Sequence, residues 1–496
     1  MSIFSHFSQS FTLIALSIKN LTEGPITRQI VRLTLPILGT SFVQMAYNLT
    51  DMLWLGRVGS NAVAAVGIAS YFTWLGVSLM LVGRIGAEVG VSQSLGARDR
   101  PRAELFAVNA VTLVVILSAI YGAITYLFAP NLVSFFHIKN SGVEASAISY
   151  IRIISVGSLL YYSNPTFTGI INGTGNSKLP FRINAVGLLA NVVLNPILIF
   201  GLGPFPKLGS NGSAIATVIS QSIVLILFIV TIGKGKSALG KVRLRLELGT
   251  EFVKKIFKLG TPVALHSILF ASFAMALARI IAPWGAMPLA VQSVGAQIEA
   301  LSWMTAGGFS TALGVFTGQN FGANKWDRIF KGFFTTISIS GAIGIIVTIC
   351  FFSFGREIYT LFLKEEEAIS LGVRYLSILA ISQFFMCIEI TTGGVFNGLG
   401  RTIPPSLVGI TFTGLRIPLA LYLSQPQIFG VTGVWWSITL SSVVKGIVLF
   451  CWFYFWMRSH PHYTGTIKRK IDFIRLLPTR IRQEVFDMNT ETEHED

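Results

Sequence analysis

The sequence predicts an all-α integral membrane protein of twelve transmembrane helices, arranged as two six-helix bundles related by a parallel internal repeat. Three observations carry this prediction. The 496 residues are 52% hydrophobic and only 12% charged, with a mean hydropathy of +0.66, whereas soluble domains hold about 25% charged residues. Apolar runs such as 105–129 exceed the ~20 residues that cross a bilayer. Several short words recur in the same order some 225 positions apart.

The apolar runs place spans at 30–56, 62–93, 105–129, 147–171, 181–202, 212–233, 254–282, 288–317, 329–354, 369–396, 403–424 and 430–457. Helices are the open-ended way to cross lipid, because they satisfy every backbone group internally. The 48 glycines suit close helix packing there. This gives an N-terminal segment at 1–29, a first lobe at 30–233, a polar linker at 234–253, a second lobe at 254–457 and a solvated tail at 458–496. The patch "FTLIALSI" near the N-terminus lacks a basic flank and a cleavage site, so an interfacial helix is expected rather than a signal peptide. Cys350, Cys387 and Cys451 lie in apolar segments without CxxC spacing, which implies neither a disulfide nor a metal site.

Basic residues set the orientation. The termini and even-numbered connections hold 27 Lys and Arg, against five in the odd-numbered connections. The positive-inside rule puts both termini in the cytoplasm. The net charge of +16 follows from this topology and from proximity to anionic lipid; no nucleic-acid partner is needed.

The repeat has five collinear members. "LTLPI" pairs with "LGTPV", "SQSLGARDR" with "GQNFGANKWDR", "NGTGNSKLP" with "NGLGRTIPP", "LNPILIFG" with "LRIPLALYL", and "GSNGSAIA" with "GVTGVWWS". The offsets drift only from 226 to 221. An even number of spans per unit makes the repeat parallel, with a pseudo-twofold axis along the membrane normal. In the NGxG words the glycines allow a left-handed turn and the proline opens the next helix, a structural role.

An ionisable residue inside a span is costly and marks a functional candidate. Gln44, Asn48 and Asp51 stand at i, i+4 and i+7 of span one, with Tyr47 beside them. Asn191 and Asn195 are i, i+4 in span five, and Thr217 lies near the start of span six. One carboxylate, several amide oxygens and a hydroxyl suit a proton or a hard cation. The second copy has Phe270, Ala274 and Leu277 opposite the span-one trio, so packing alone does not require these polar groups.

In the second half, Glu299 and Glu389 either line a cavity for a cationic substrate or pair with Lys445 and Arg416. Arg84 and Glu88, i and i+4 on span two, are expected to pair with each other. Arg152, Arg279 and Arg374 lie near span ends and are expected to snorkel. Tyr71, Trp74, Trp303 and Met304 are candidates for an apolar cavity, and His266 is expected to pack. No GxxxxGK[ST], HExxH or GxSxG motif is present, so no enzyme, no ATP site and no cofactor are expected. An ion gradient is the remaining energy source.

Over roughly 25–457 the chain resembles the multidrug and toxin extrusion (MATE) family. The resemblance rests on "LTLPILGTSFVQMAYNLTDMLWLGRVG", "SQSLGARDR", "NGTGNSKLP" and "NVVLNPILIFG", with the second-half glycine words. It implies a two-lobe, twelve-helix fold, a bacterial inner membrane and export of organic, often cationic, compounds in exchange for H⁺ or Na⁺; a monomer is expected. It also implies a first-lobe cation site on Asp51, Asn191 and Asn195. Some members carry a second aspartate at the position of Asn195; with one carboxylate, H⁺ and Na⁺ both stay open. Span seven has no acid where other members use one, and Glu389 lies about one turn from the family's span-ten acid. A flippase for a lipid-linked oligosaccharide or other anionic lipid is the alternative, because span cations could hold a pyrophosphate.

Overall fold

The computed structural model describes residues 19–137, 140–233 and 248–462. The "FTLIALSI" patch, most of the linker and the tail beyond 462 lie outside the described residues. Twelve helical spans run in order: α1 (Ile26–Val58), α2 (Ser60–Gly96), α3 (Arg100–Leu127), α4 (Ser141–Val156 with Ser158–Gly173), α5 (Lys178–Phe200), α6 (Ser210–Gly233), α7 (Thr250–Ile281), α8 (Ala286–Gly322), α9 (Trp326–Ser353), α10 (Glu366–Gly398), α11 (Ile403–Gly414 with Arg416–Leu423) and α12 (Thr432–Ser459). Ten of these are long and apolar enough to cross a membrane, and the bent pair in α4 makes an eleventh. The twelfth, α8, is 37 residues long and more polar. It occupies the place of α2 in the second repeat.

Most spans begin a few residues before the sequence expectation, because polar residues extend the helix ahead of the apolar core. Asp99 caps α3 by accepting from the Arg102 amide, and Asn140 caps α4 from Gly142 and Val143. The expected single span at 147–171 is instead bent by 55°. The break falls at Gly157, whose missing Cβ leaves room for Val218 of α6. The duplication is visible in detail. Short helices Ala129–Ser134 and Gly355–Thr360 follow α3 and α9. Arg98 and Asn324 take φ of 61° and 57° in matching turns, as Gly175 and Gly400 take 81° and 74° in the two NGxG words. The left-handed turn expected of those glycines is therefore present.

We call the end where α1 begins and α2 ends the terminal face, and the opposite end the distal face. The lobes are joined at the terminal face. The first half of α1 buries Ile30, Leu33 and Ile37 among Phe309, Phe316 and Phe333 of the second lobe. Reciprocally, Ile256 and Ala264 of α7 pack with Val82 and Phe106 of the first lobe. Gly96 and Gly322, equivalent in the repeat, bring α2 and α8 together: a Cβ on Gly96 would overlap the Gln319 carbonyl, and one on Gly322 the Gln93 carbonyl.

Two reciprocal hydrogen bonds close this seam. Gln93 Nε2 of the first lobe donates to the Gly398 carbonyl of the second at 2.9 Å. Its repeat equivalent, Gln319 Nε2, donates to the Gly173 carbonyl of the first lobe at 3.2 Å. Gly173 and Gly398 are themselves equivalent members of the NGxG words, so the duplicated word supplies one acceptor to each side of a symmetric latch. Residues 19–25 cross the seam as well. Lys19 N donates to Thr174 O at 3.2 Å, Leu21 N to Gln319 Oε1 at 3.0 Å, and Lys325 Nζ to Thr22 O at 2.8 Å. Among the described residues, the most distal cross-lobe hydrogen bond joins Ser78 and Ser267 at mid-span, at 2.8 Å.

Replacing Gln93 or Gln319 by Leu leaves a buried carbonyl unpaired, which costs the closed seam about 1–3 kcal/mol. Amide hydrogen exchange across 172–176 and 397–401 should therefore quicken in both variants. Unchanged exchange would show that the latch bonds do not hold the lobes.

Candidate functional site

The first lobe assembles a polar cluster at mid-span. Helix α1 buries Val43, Tyr47 and Leu55 along one edge, and Asp51 falls on that edge between Tyr47 and Leu55. There it meets α5 and α6. Asn195 Nδ2 donates to Asp51 Oδ1 at 2.6 Å and to Asn191 Oδ1 at 3.0 Å. Thr217 Oγ1 donates to Asp51 Oδ2 at 3.4 Å and accepts from Asn191 Nδ2 at the same distance. Asn191 and Asn195 are fully buried. Pro196 follows Asn195 within α5, and Gly187, one turn before Asn191, leaves room for the Tyr47 hydroxyl.

Asp51, Asn191, Asn195 and Thr217 thus come together, whereas Gln44 and Asn48 do not. Both are exposed, one position round the helix from Val43 and Tyr47. A residue step turns a helix by about 100°, so a polar stripe at i, i+4, i+7 straddles the contact edge rather than lying on it. Ser213 belongs to the cluster and was not anticipated. Its hydroxyl lies between Asp51 and Tyr150 and is buried without a hydrogen-bond partner. Its signal in the sequence is its place one turn before Thr217. Tyr47, Tyr150 and Tyr161 surround the carboxylate closely enough to feel its charge.

No basic side chain lies within 4 Å of Asp51 among the described residues. Several oxygens around it are unpartnered: Asn195 Oδ1, Ser213 Oγ and the Tyr47 hydroxyl. This donor set is all oxygen with one carboxylate. It fits a proton on Asp51, or Na⁺ held by carboxylate, amide and hydroxyl oxygens. Among the described residues no group of three His, Cys, Asp or Glu could hold a heavier metal. Cys350, Cys387 and Cys451 are free thiols.

The second lobe treats its acids differently. Glu389 of α10 forms a buried ion pair with Lys445 of α12 at 3.0 Å. Arg416 sits at the break in α11 and donates to the hydroxyls of Ser441 and Ser442. Glu299 of α8 accepts from Gln383 at 3.2 Å. Of the two readings open for Glu389, the geometry brings it to Lys445. Tyr71 and Trp303 are exposed, at 49% and 44%, and Met304 is half-buried. Tyr71 stacks on Phe136 at 5.7 Å. His266 packs edge-on to Phe270 and against Gly409.

The expected Arg84–Glu88 pair is absent: no nitrogen of Arg84 lies within 4 Å of a Glu88 oxygen, and Arg84 Nε and Glu88 Oε2 are both buried without partners. Although one turn apart on α2, the two point into different neighbours. Arg84 lies over Gly169 of α4, and Glu88 lines the seam with α8 and α10.

The MatE family model matches the chain twice, over residues 36–197 and 262–422, one match per repeat. A protein of Thermotoga maritima named "Probable multidrug resistance protein NorM" is 26% identical over 418 residues, covering 83% of this chain and 88% of that one. A Bacillus subtilis protein named "Probable multidrug resistance protein YoeA" is 26% identical over 439 residues, covering 88% and 95%. A solved structure described as the outward-facing conformation of a multidrug resistance MATE family transporter superposes with a TM-score of 0.82 at 24% identity, covering 89% of this chain and 98% of that one. The likeness to that structure carries the fold, and the paired family matches carry the assignment. The chain is a multi-pass membrane protein, a transporter rather than an enzyme, and it belongs to the MATE family.

Proposed function

We propose that this protein is a secondary antiporter that exports small organic cations in exchange for H⁺ or Na⁺, with Asp51 as the coupling carboxylate. The observation that carries this reading is a buried carboxylate held by amide and hydroxyl dipoles with no fixed cation beside it. Such a group gains most from a transient positive charge, supplied by the ion or by the substrate. Both relatives described above are named as multidrug resistance proteins, which agrees with a substrate of that class.

In this cycle the terminal face, where the Gln93 and Gln319 bonds join the lobes, is cytoplasmic, as the Lys and Arg distribution indicates, and access is from outside. Asp51 takes an ion from outside while Asn191, Asn195, Thr217 and Ser213 hold its geometry. Neutralising Asp51 weakens the hold on a cationic substrate, which leaves outward. The lobes then rock, the ion leaves to the cytoplasm, and the site reloads. Coupling requires unequal ion affinity in the two conformations or exclusion of substrate, since equal affinity would shift nothing. Exposed aromatic groups including Tyr71 and Trp303, with Met304, supply apolar surface for a flat organic molecule. Glu299 and Glu389 lend negative charge to the second-lobe wall, Glu389 only as far as Lys445 leaves it uncompensated. We read the transporter as a monomer in a bacterial inner membrane. The flippase alternative loses ground, because Lys445 is engaged by Glu389, and Arg416 by serines, instead of facing an open cavity.

Inside-out vesicles test this reading with an ethidium-like dye under an imposed pH gradient and, separately, a Na⁺ gradient. Wild type should move dye under one of them, and Asp51→Asn under neither. Full ion-driven transport by Asp51→Asn would remove the central residue from the account. Asn195→Ala should lower the transport rate about tenfold, as expected for loss of a hydrogen bond to a charged group. Gln44→Ala should change it by less than about threefold, given that exposed substitutions cost little. The reverse order would place the site on the wrong edge of α1.

A further inference from the structure

A second uncompensated carboxylate lies in the seam between the lobes. Glu88 of α2 is 7% exposed, and its Oε2 atom makes no hydrogen bond. It lines a cavity of about 40 Å³ bounded by Ser92 of its own helix, Ser310 and Thr311 of α8, and Asn397 and Gly398 of α10. Asn397 Oδ1 is likewise buried and unpartnered. The repeat equivalent of Glu88 is Gly314, which lines the same cavity from the other lobe. A Cβ there would crowd the Gly394 carbonyl of α10, at 3.2 Å. The cavity exceeds the ~10–15 Å³ that one water-sized particle needs. Its polar lining is a carboxylate, an amide, hydroxyls and backbone, with no basic group.

Arg84, a turn away on its own helix, acts on Glu88 through space without an ion-pair contact. Tyr161 and Tyr162 on α4, Lys254, Lys255 and Lys258 on α7, Glu299 on α8 and Glu389 on α10 are not among the residues lining the cavity. An unpaired carboxylate in such a seam carries a large desolvation cost. One wall of the cavity is the Gly398 carbonyl that receives the Gln93 latch bond. Opening the terminal face therefore dismantles the cavity and returns Glu88 to water.

We propose that the Glu88 cavity is a gate-linked site for one monovalent positive charge, H⁺ or Na⁺, taken up as the lobes close at the terminal face and given up as they part. H⁺ would reside on the Glu88 carboxylate. Na⁺ would be held by Glu88, Asn397 Oδ1 and the hydroxyls. Uptake on closure means that low pH, or high Na⁺, favours the closed terminal face. This inference rests on the alternating-access reading above but not on Asp51 as the coupling site.

The test uses the full-length protein in lipid nanodiscs, with Cys350, Cys387 and Cys451 replaced and spin labels at the exposed positions 100 and 331. The background is Asp51→Asn, so that no response can arise at the first-lobe site. Cross-lobe distances are recorded over a pH series without Na⁺, and over a Na⁺ series at fixed pH with choline as replacement. The proposal predicts that the closed population rises with falling pH or with rising Na⁺, by up to about tenfold per pH unit or per decade of Na⁺ for a single ion. Whichever series responds identifies the ion. Adding Glu88→Gln should abolish the response and hold the lobes closed. Glu88→Ala, which leaves the cavity open, should abolish it too and serves if the Gln variant does not fold. An unaltered response in these variants, or no response to either ion with Glu88 intact, overturns the proposal. Dye efflux that ignores Asp51 while the gate still responds would instead fault the coupling assignment alone.

Discussion

A carboxylate inside a membrane span must be neutralised, and how each one is neutralised orders the rest of this molecule. At the centre of a helix an Asp costs about 2.5–3.5 kcal/mol on insertion scales. Glu389 meets that cost with a permanent partner, Lys445, at 3.0 Å. Asp51 and Glu88 have none within 4 Å. Asp51 is held by the dipoles of Asn195 and Thr217, and Glu88 faces a small oxygen-lined cavity. A fixed ion pair is a finished structure, whereas a carboxylate held by dipoles alone can accept a charge and return it. By that criterion Asp51, Glu88 and Glu299, which accepts from Gln383, can exchange a charge, the proposal places the coupling at Asp51, and Glu389 is held by Lys445.

The duplication explains why one lobe can specialise. Both units fold by the same helix order, the same short helices after α3 and α9, and the same positive-φ turns. The seam uses that symmetry directly. Gln93 and Gln319, Gly96 and Gly322, and Gly173 and Gly398 form matched pairs across the two lobes. Symmetric closure needs few parts, and it breaks as a unit when the lobes rock. The polar cluster breaks the symmetry: Leu277 stands where the first lobe has Asp51, and Gly314 where it has Glu88. The scaffold is thus duplicated, whereas Asp51 and Glu88 have no carboxylate counterpart in the second lobe.

Much of this was legible in the residues alone. Hydropathy and the repeated words carry the twelve spans and the two bundles. Rare polar residues in apolar spans carry Asp51, Asn191, Asn195 and Thr217. What was not legible has physical reasons. Gln44 and Asn48 share a helical face with Asp51, but burial follows the edge of Val43, Tyr47 and Leu55, and spacing cannot tell neighbouring edges apart. Arg84 and Glu88 have ion-pair spacing, yet each turns toward a different helix. The bend at Gly157 depends on the approach of Val218. The latch was hidden because its acceptors are backbone carbonyls, which leave no trace in side-chain identity. The NGxG words read as turns, and turns they are; their second role appears only when the lobes are placed together.

The central claim is that Asp51 carries either the ion or the cationic substrate, not both. The most direct measurement is ion release on substrate binding in purified protein: titrate tetraphenylphosphonium into weakly buffered, detergent-solubilised transporter, and follow H⁺ with an indicator dye and Na⁺ with a selective electrode. The account predicts that wild type releases about one H⁺ or one Na⁺ per cation bound, as mutual exclusion at one carboxylate requires, and that Asp51→Asn releases none. Saturable tetraphenylphosphonium binding by wild type with no release of either ion would contradict it.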